Sequence, residues 1–91
     1  MSTKKVNDMG DKPLPKWYDG AKYTQWETVE NRFTGDKALL SPNEVAMYDL
    51  IMGIRYVCDQ RGWTEELRDL NYKAEAWFKE TNPEAYDILI K

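Results

Sequence analysis

Few residues in this chain could act chemically on a substrate. Glu65, Glu66 and Asp69 bring three carboxylates together at helical spacing, and paired carboxylates can serve as general acid and base. Carboxylates are also expected in the first turn of a helix, where they complement its dipole, and we favour this second interpretation. The single thiol, Cys58, lies in an apolar helical pattern without a cationic neighbour, which is typical of a small buried hydrophobic residue.

The histidine and cysteine content excludes several kinds of site. The chain has no histidine and one cysteine, which rules out Ser-His-Asp and Cys-His nucleophilic catalysis and an intramolecular disulfide. Almost no ligands remain for a structural zinc ion. No Gly-rich phosphate-binding motif is present either. We therefore expect no catalytic residue, no cofactor and no metal, and we predict that the protein is not an enzyme.

A segment near the N-terminus alternates basic and aromatic residues. Its members are Lys12, Lys16, Trp17, Tyr18, Lys22, Tyr23 and Trp26. Such a segment can stack bases and follow phosphates, so one hypothesis is a binder of nucleotide or single-stranded nucleic acid that uses residues 12–26. The other is a clip in which the aromatic rings pack on the body while the lysines stay hydrated. We favour the clip, because nearby aspartates dilute the positive charge.

Composition divides the chain into a part that is poor in Leu, Ile, Val and Phe and a part that is rich in them. Residues 1–37 hold four of the 17 Leu, Ile, Val and Phe residues and carry a net charge of +1, whereas residues 38–91 hold 13 and carry −4. This favours a disordered tail at 1–16, an aromatic arm at 17–40 and a helical domain at 41–91, all in a single domain. An acidic body also argues against nucleic acid as a partner.

The same composition bears on location. No apolar run approaches the about 20 residues that a membrane span requires, and no apolar stretch follows the N-terminal lysines as in a secretory signal. We expect a soluble, cytoplasmic protein without a membrane partner.

Helix-start signals predict three helices, at about 42–61, 65–80 and 83–90. Ser41 and Glu44 form a capping box around Pro42, which suits the first helical position. Thr64 is a good N-cap for the second helix, and Asn82 followed by Pro83 opens the third.

The first helix is apolar on two sides. One arc contains Ala46, Met47, Leu50, Ile51, Ile54, Val57 and Cys58, and a second stripe contains Val45, Tyr48, Met52 and Tyr56. A helix with two apolar sides is buried on both, so the second stripe should pack on the arm or on another subunit. Gly53 weakens the helix interior, and we expect it to allow the close approach of another backbone. The bulky aromatic residues Trp63, Trp77, Phe78 and Tyr86 are expected in the core.

Residues 23–40 have the composition of a short β-hairpin. Aromatic and β-branched residues fill 23–29, a turn is expected near 34–36, and Lys37–Leu40 follows. An irregular extended arm is the alternative, since a lone hairpin is marginal in water unless it packs on the helices. The predicted fold is therefore mainly α: a small three-helix domain with an N-terminal extended arm or short β-hairpin packed on it.

Several short motifs resemble those of small uncharacterised proteins of marine tailed phages, cyanophages in particular. They are Asn31-Arg32-Phe33-Thr34-Gly35, Leu40-Ser41-Pro42 with Glu44, Tyr48-Asp49 with Ile51 and Gly53, and Asn82-Pro83-Glu84-Ala85-Tyr86 with Leu89. The resemblance covers about residues 31–90. It implies a phage-encoded accessory protein in the cytoplasm of an infected bacterial cell, and it brings no site residues with it.

The functional hypothesis from the sequence is a non-enzymatic module for protein interaction or self-association. Its motivation is the large apolar surface of so small a body. The residues expected to contact a protein partner or a second copy in a homo-oligomer are Trp17, Tyr18, Tyr23, Trp26, Val45, Tyr48, Met52 and Tyr56.

Overall fold

The computed structural model describes residues 11–91. Strands β1 (Glu27–Glu30) and β2 (Lys37–Leu40) form an antiparallel hairpin, and two long helices follow, α1 (Pro42–Arg61) and α2 (Glu65–Thr81). A short helix, α3 (Pro83–Ala85), continues into a π-helical turn (Tyr86–Ile90). The expected mainly α fold with three helices is confirmed, and the hairpin replaces the irregular arm over residues 27–40.

The hairpin is closed by a loop that hydrogen bonds hold in one conformation. The strands pair Glu27 with Leu40 and Glu30 with Lys37 at their two ends. Within the loop, Gly35 has φ of +82°, a conformation that favours glycine. On the inner face Leu40 is fully buried and Val29 packs against the core, so the helices support a hairpin that would be marginal alone.

The start of α1 is capped as the sequence predicts. The Ser41 hydroxyl accepts the Glu44 N–H at 3.3 Å, and the Glu44 carboxylate accepts the Ser41 N–H at 2.9 Å. The same carboxylate oxygen also accepts from the Asn82 side chain at 3.1 Å. Because Asn82 caps α3 through the Ala85 N–H at 3.1 Å, one buried carboxylate joins the first turns of two helices.

The core lies where α1, α2 and the C-terminal turn meet. Met47 and Ile51 of α1 are fully buried, as are Ala74 and Phe78 of α2. Leu89 and Ile90 complete the core, so the last turn is docked on the body. Trp77 is buried and Tyr86 partly so, as expected, but Trp63 is 42% exposed, because it lies in the short connection between α1 and α2 rather than on their shared face.

The predicted tail of residues 1–16 extends too far along the chain. Its first ten positions lie outside the described residues, but residues 11–16 contact the body. The Asp11 carboxylate accepts the Asn43 N–H at 3.0 Å, and the Lys12 carbonyl accepts from the Asn43 side chain at 2.9 Å. The physical reason is that the first turn of a helix has N–H groups without partners in the helix, and Asp11 provides an acceptor for one of them.

None of the helices within residues 11–91 is both long enough and apolar enough to cross a membrane.

Candidate interaction surface

Tyr18 fixes the aromatic arm to α1. Its ring is 8% exposed, and its hydroxyl donates to the backbone carbonyls of Ala21 and Ala46. A side chain at Gly20 would collide with this ring, because a Cβ there would lie 2.6 Å from the Tyr18 hydroxyl. Burial raises the pKa of Tyr18, and the negative charge of Asp49 raises it further. Tyr18 is therefore mainly an internal anchor, and little of its surface is left for the predicted contact with a partner.

Lys12 and Trp17 of the arm contact the body of the protein, while Lys16 and Lys22 are exposed. The Lys73 ammonium lies 5.2 Å from the centre of the half-buried Trp17 ring. The Lys12 ammonium lies 6.0 Å from the Trp77 ring centre and 3.6 Å from the Glu80 carboxylate. These contacts are those of the predicted clip, with the difference that the cations also engage rings and a carboxylate of the body.

Tyr23 and Trp26 lie further along the arm. The Tyr23 hydroxyl donates to Asp49 Oδ2 at 2.8 Å. This hydrogen bond is the main reason that the pKa of Tyr23 is raised. Trp26 precedes β1 and is 42% exposed, so of the four arm residues that the sequence nominated it keeps the most surface for a partner.

The second stripe of α1 does not form one continuous contact surface. Val45 is buried in the core, so its predicted role at an interface is wrong. Tyr48 and Met52 are half-buried and line a cleft of about 260 Å³ between α1, the hairpin loop and the C-terminal turn. Tyr56 continues the stripe and is 67% exposed. The stripe thus runs from the core to solvent along the helix.

A salt bridge closes one end of this cleft. Arg55 Nη2 lies 2.8 Å from the Glu75 carboxylate of α2 and donates to the Ile90 carbonyl at 3.2 Å. These two bonds fasten α2 and the C-terminal turn to the same face of α1.

The hairpin loop carries an exposed phenylalanine that was not among the contact residues predicted from the sequence. Phe33 is 95% exposed, although the loop around it is well fastened. The Asn31 Oδ1 accepts the Phe33 N–H at 2.8 Å, and the Asn31 amide group donates to the Ile88 carbonyl at 2.7 Å. The neighbouring Arg32 is also exposed. The loop therefore presents an aromatic ring and a cation on a preorganised backbone.

An apolar groove lies on the opposite side of α1 from this cleft. Its volume is about 420 Å³, and a cavity of about 150 Å³ is enough to hold benzene. The lining residues come from the arm, α1 and α2: Tyr18, Gly20, Ala21, Asp49, Leu50, Gly53, Ile54, Val57, Leu67 and Leu70. We call this surface the α1–α2 groove.

Gly53 lies in the α1–α2 groove without a neighbour. The close approach of another backbone that we expected there does not occur among residues 11–91, since a Cβ at Gly53 would meet no described atom within 4 Å. The glycine therefore leaves space open instead of allowing two segments of this chain to pack. Leu50, Gly53, Ile54 and Val57 recur at helical spacing, and Leu50, Ile54 and Val57 belong to the apolar arc expected to be buried. Ile54 is buried as expected, whereas Val57 is 39% exposed.

The candidate chemical residues are not gathered into a reactive site. Glu65, Glu66 and Asp69 are exposed, and Cys58 is buried. Within residues 11–91, no group of three or more His, Cys, Asp or Glu side chains is placed to hold a metal ion. Comparison of the chain with protein-family models, with curated proteins and with solved structures finds no match. Its function must therefore be inferred from its own surfaces.

Proposed function

We propose that this chain is a non-enzymatic accessory protein that acts as a protein-interaction or self-association module through the α1–α2 groove. The observation that carries the proposal is the groove itself, which is open, almost entirely apolar and large enough for an aromatic or branched side chain. Apolar surface gathered in one concave site favours a docked partner, because covering it removes that surface from water.

The groove combines features of an interaction hot spot. Leu50, Ile54 and Val57 present one face of α1, and Leu67 and Leu70 face them from α2. Asp49 and the Tyr18 ring lie at the end near the arm, so an apolar centre has a polar border. The helices that line it are held by the core and the Arg55–Glu75 salt bridge, which keeps the groove in shape before a partner binds.

The nucleic-acid hypothesis has less support from the geometry. It requires free ring faces and free lysines in residues 12–26. Lys12 contacts Glu80 and Trp77, Trp17 lies under Lys73, and the Tyr18 ring is buried. Stacking at Trp17 or Tyr18 would have to displace contacts that hold the arm to the body, which leaves only the exposed Lys16, Lys22 and Trp26 for this hypothesis.

A phage origin of the chain is part of the same proposal. The resemblance of residues 31–90 to small proteins of marine tailed phages suggests a phage-encoded module in the cytoplasm of an infected bacterial cell.

Site-specific photo-crosslinking tests the groove as a docking surface. A benzophenone amino acid in place of Val57 would report contacts at the groove, and the same residue in place of the exposed Asp59 is a matched control on another face of α1. We expect the crosslinker at position 57, but not the one at position 59, to give a discrete covalent adduct between this chain and a docked protein chain. Gly53→Leu should suppress the adduct from position 57, because the leucine fills the groove. Equal adducts from both positions, or no adduct from position 57, would contradict the proposal.

A further inference from the structure

We propose that the occupant of the α1–α2 groove is the Arg32-Phe33 loop of a second copy of this chain. This inference rests on the proposed function, since it names the partner for the same groove. Two separate observations support it: an exposed aromatic ring on a fixed loop, and an apolar groove of suitable size elsewhere on the molecule.

The exposed ring has the properties of an anchor. Phe33 is 95% exposed, more than any other large hydrophobic residue described. Exposure of a phenyl ring on a turn is unfavourable, and a mobile loop could at least turn it inward. Here Asn31 holds the loop through three hydrogen bonds, to the Phe33 and Thr34 N–H groups and to the Ile88 carbonyl. The ring therefore remains exposed and preorganised for insertion.

The receiving groove matches this anchor in shape and charge. It is lined by aliphatic side chains with open space above Gly53, so a phenyl ring can enter without displacing protein atoms. The exposed Asp49 at its border would meet the Arg32 guanidinium that accompanies Phe33. Among residues 11–91, Arg32 forms no salt bridge, so its charge is available for this contact.

The loop and the groove of one molecule cannot meet each other. Phe33 lies beside Tyr48, Met52 and Arg55, whereas the groove contains Gly53 and Val57. With 3.6 residues per turn these two sets lie on opposite sides of α1. Insertion must therefore join two copies. The contact is either reciprocal, giving a closed dimer in which each loop fills the groove of the other copy, or head to tail, giving a ring or an open chain.

Complementary variants test the inference. Phe33→Ser removes the anchor and keeps the groove, and Gly53→Leu fills the groove and keeps the anchor. Leucine is a good helix former and a Cβ at position 53 meets no described atom within 4 Å, so Gly53→Leu should fold. We expect the wild-type mass in sedimentation velocity to increase with concentration, and we expect each variant alone to remain a monomer.

Mixing the two variants gives the decisive result. The intact loop of Gly53→Leu should enter the intact groove of Phe33→Ser, so the mixture forms a one-to-one heterodimer that does not grow further. Arg32→Glu in the Gly53→Leu chain should weaken this heterodimer, because it places a second carboxylate beside Asp49. Circular dichroism of each variant confirms that it is folded.

The outcomes separate this inference from the proposed function. A monomeric wild type, self-association that both variants retain, or a variant mixture without heterodimer would overturn the insertion of the loop into the groove of another copy. If the wild type is monomeric and the Val57 crosslinker still forms an adduct that Gly53→Leu suppresses and the Asp59 control lacks, the proposed function stands and only the identity of the occupant is wrong. If neither contact forms, both are wrong.

Discussion

Two glycines allow a controlled test of how backbone conformation determines the stability of this protein. Gly53 lies inside α1, and Gly62 follows the last residue of the same helix with φ of +89° and ψ of 164°. A Cβ at either position meets no described atom within 4 Å. Steric space is therefore matched, and Gly→Ala substitution at the two sites should report on the backbone alone.

The expected effects have opposite signs. In a helix interior, alanine is more stable than glycine by about 1 kcal/mol, so Gly53→Ala should stabilise the protein by about that amount. The conformation of Gly62 is essentially restricted to glycine, and forcing another residue into it costs about 1–3 kcal/mol, so Gly62→Ala should destabilise. For a domain of this size, 1 kcal/mol corresponds to a Tm change of about 4–8 °C.

Thermal and urea unfolding, followed by circular dichroism, measure both effects. Both substitutions should be made in the Phe33→Ser background, so that the proposed self-association through the groove does not contribute to the apparent stability. The urea m-value should stay unchanged, since neither alanine alters the surface exposed on unfolding. A decrease of Tm for Gly53→Ala would refute the reasoning, because it would mean that another group occupies the space beside Gly53 in solution.

Three further predictions concern contacts between elements. Glu44→Ala and Asn82→Ala should each lower the free energy of unfolding. The double variant should lose at least about 0.5 kcal/mol less than the sum of the two single losses, because both substitutions remove the same hydrogen bond. Additive losses in urea titrations would contradict this. The raised pKa of Tyr23 favours the protonated phenol in the folded state. Tyr23 therefore contributes stability that is fully present below the ordinary tyrosine pKa of 10.0 and is lost as the pH rises through the folded pKa. Asp49→Asn should move the tyrosinate absorbance transition of Tyr23 to lower pH. An unchanged transition would count against the hydrogen bond from Tyr23 to Asp49. Arg55→Met should lower the free energy of unfolding by less than about 1 kcal/mol, since the Arg55–Glu75 pair is partly exposed. It should nevertheless accelerate amide hydrogen exchange in the C-terminal turn, where Arg55 donates to the Ile90 carbonyl. Unchanged exchange there would show that Arg55 does not hold this turn.

The helix boundaries were predictable because each is set by neighbouring residues. Ser41 and Glu44 each accept the backbone N–H of the other within one turn, Pro42 at the first helical position needs no partner, and the Thr64 hydroxyl accepts the Leu67 N–H only three positions away. Such bonds form with little dependence on the rest of the fold. The sequence alone does not decide between a hairpin and an irregular arm, because the stability of the hairpin depends on the core beneath it and not on its own two strands.

The interaction surface was harder to predict, because helical periodicity specifies a direction but not what lies in that direction. The stripe from Val45 to Tyr56 was correctly recognised as a second apolar side, yet the core buries Val45, while Tyr56 extends beyond the hairpin and the C-terminal turn. The fixed position of the Phe33 loop could not be predicted either, since it depends on the bond from Asn31 to the Ile88 carbonyl, which is distant in sequence.

The openness of the α1–α2 groove follows from how the arm crosses α1. The arm passes the groove at Tyr18, Gly20 and Ala21, and Tyr23 then bonds to Asp49 before the chain enters β1. Because the Tyr18 hydroxyl bonds to both Ala21 and Ala46, the arm turns tightly around this ring, and Gly20 is required there since any side chain would collide with it. The arm therefore covers the end of the groove near Asp49 and leaves the part beside Gly53 open. A Cβ at position 53 would meet no described atom within 4 Å, and alanine there would strengthen the helix. Packing within the described chain therefore does not require this glycine, whereas the proposed docking role of the groove does benefit from the space that it leaves.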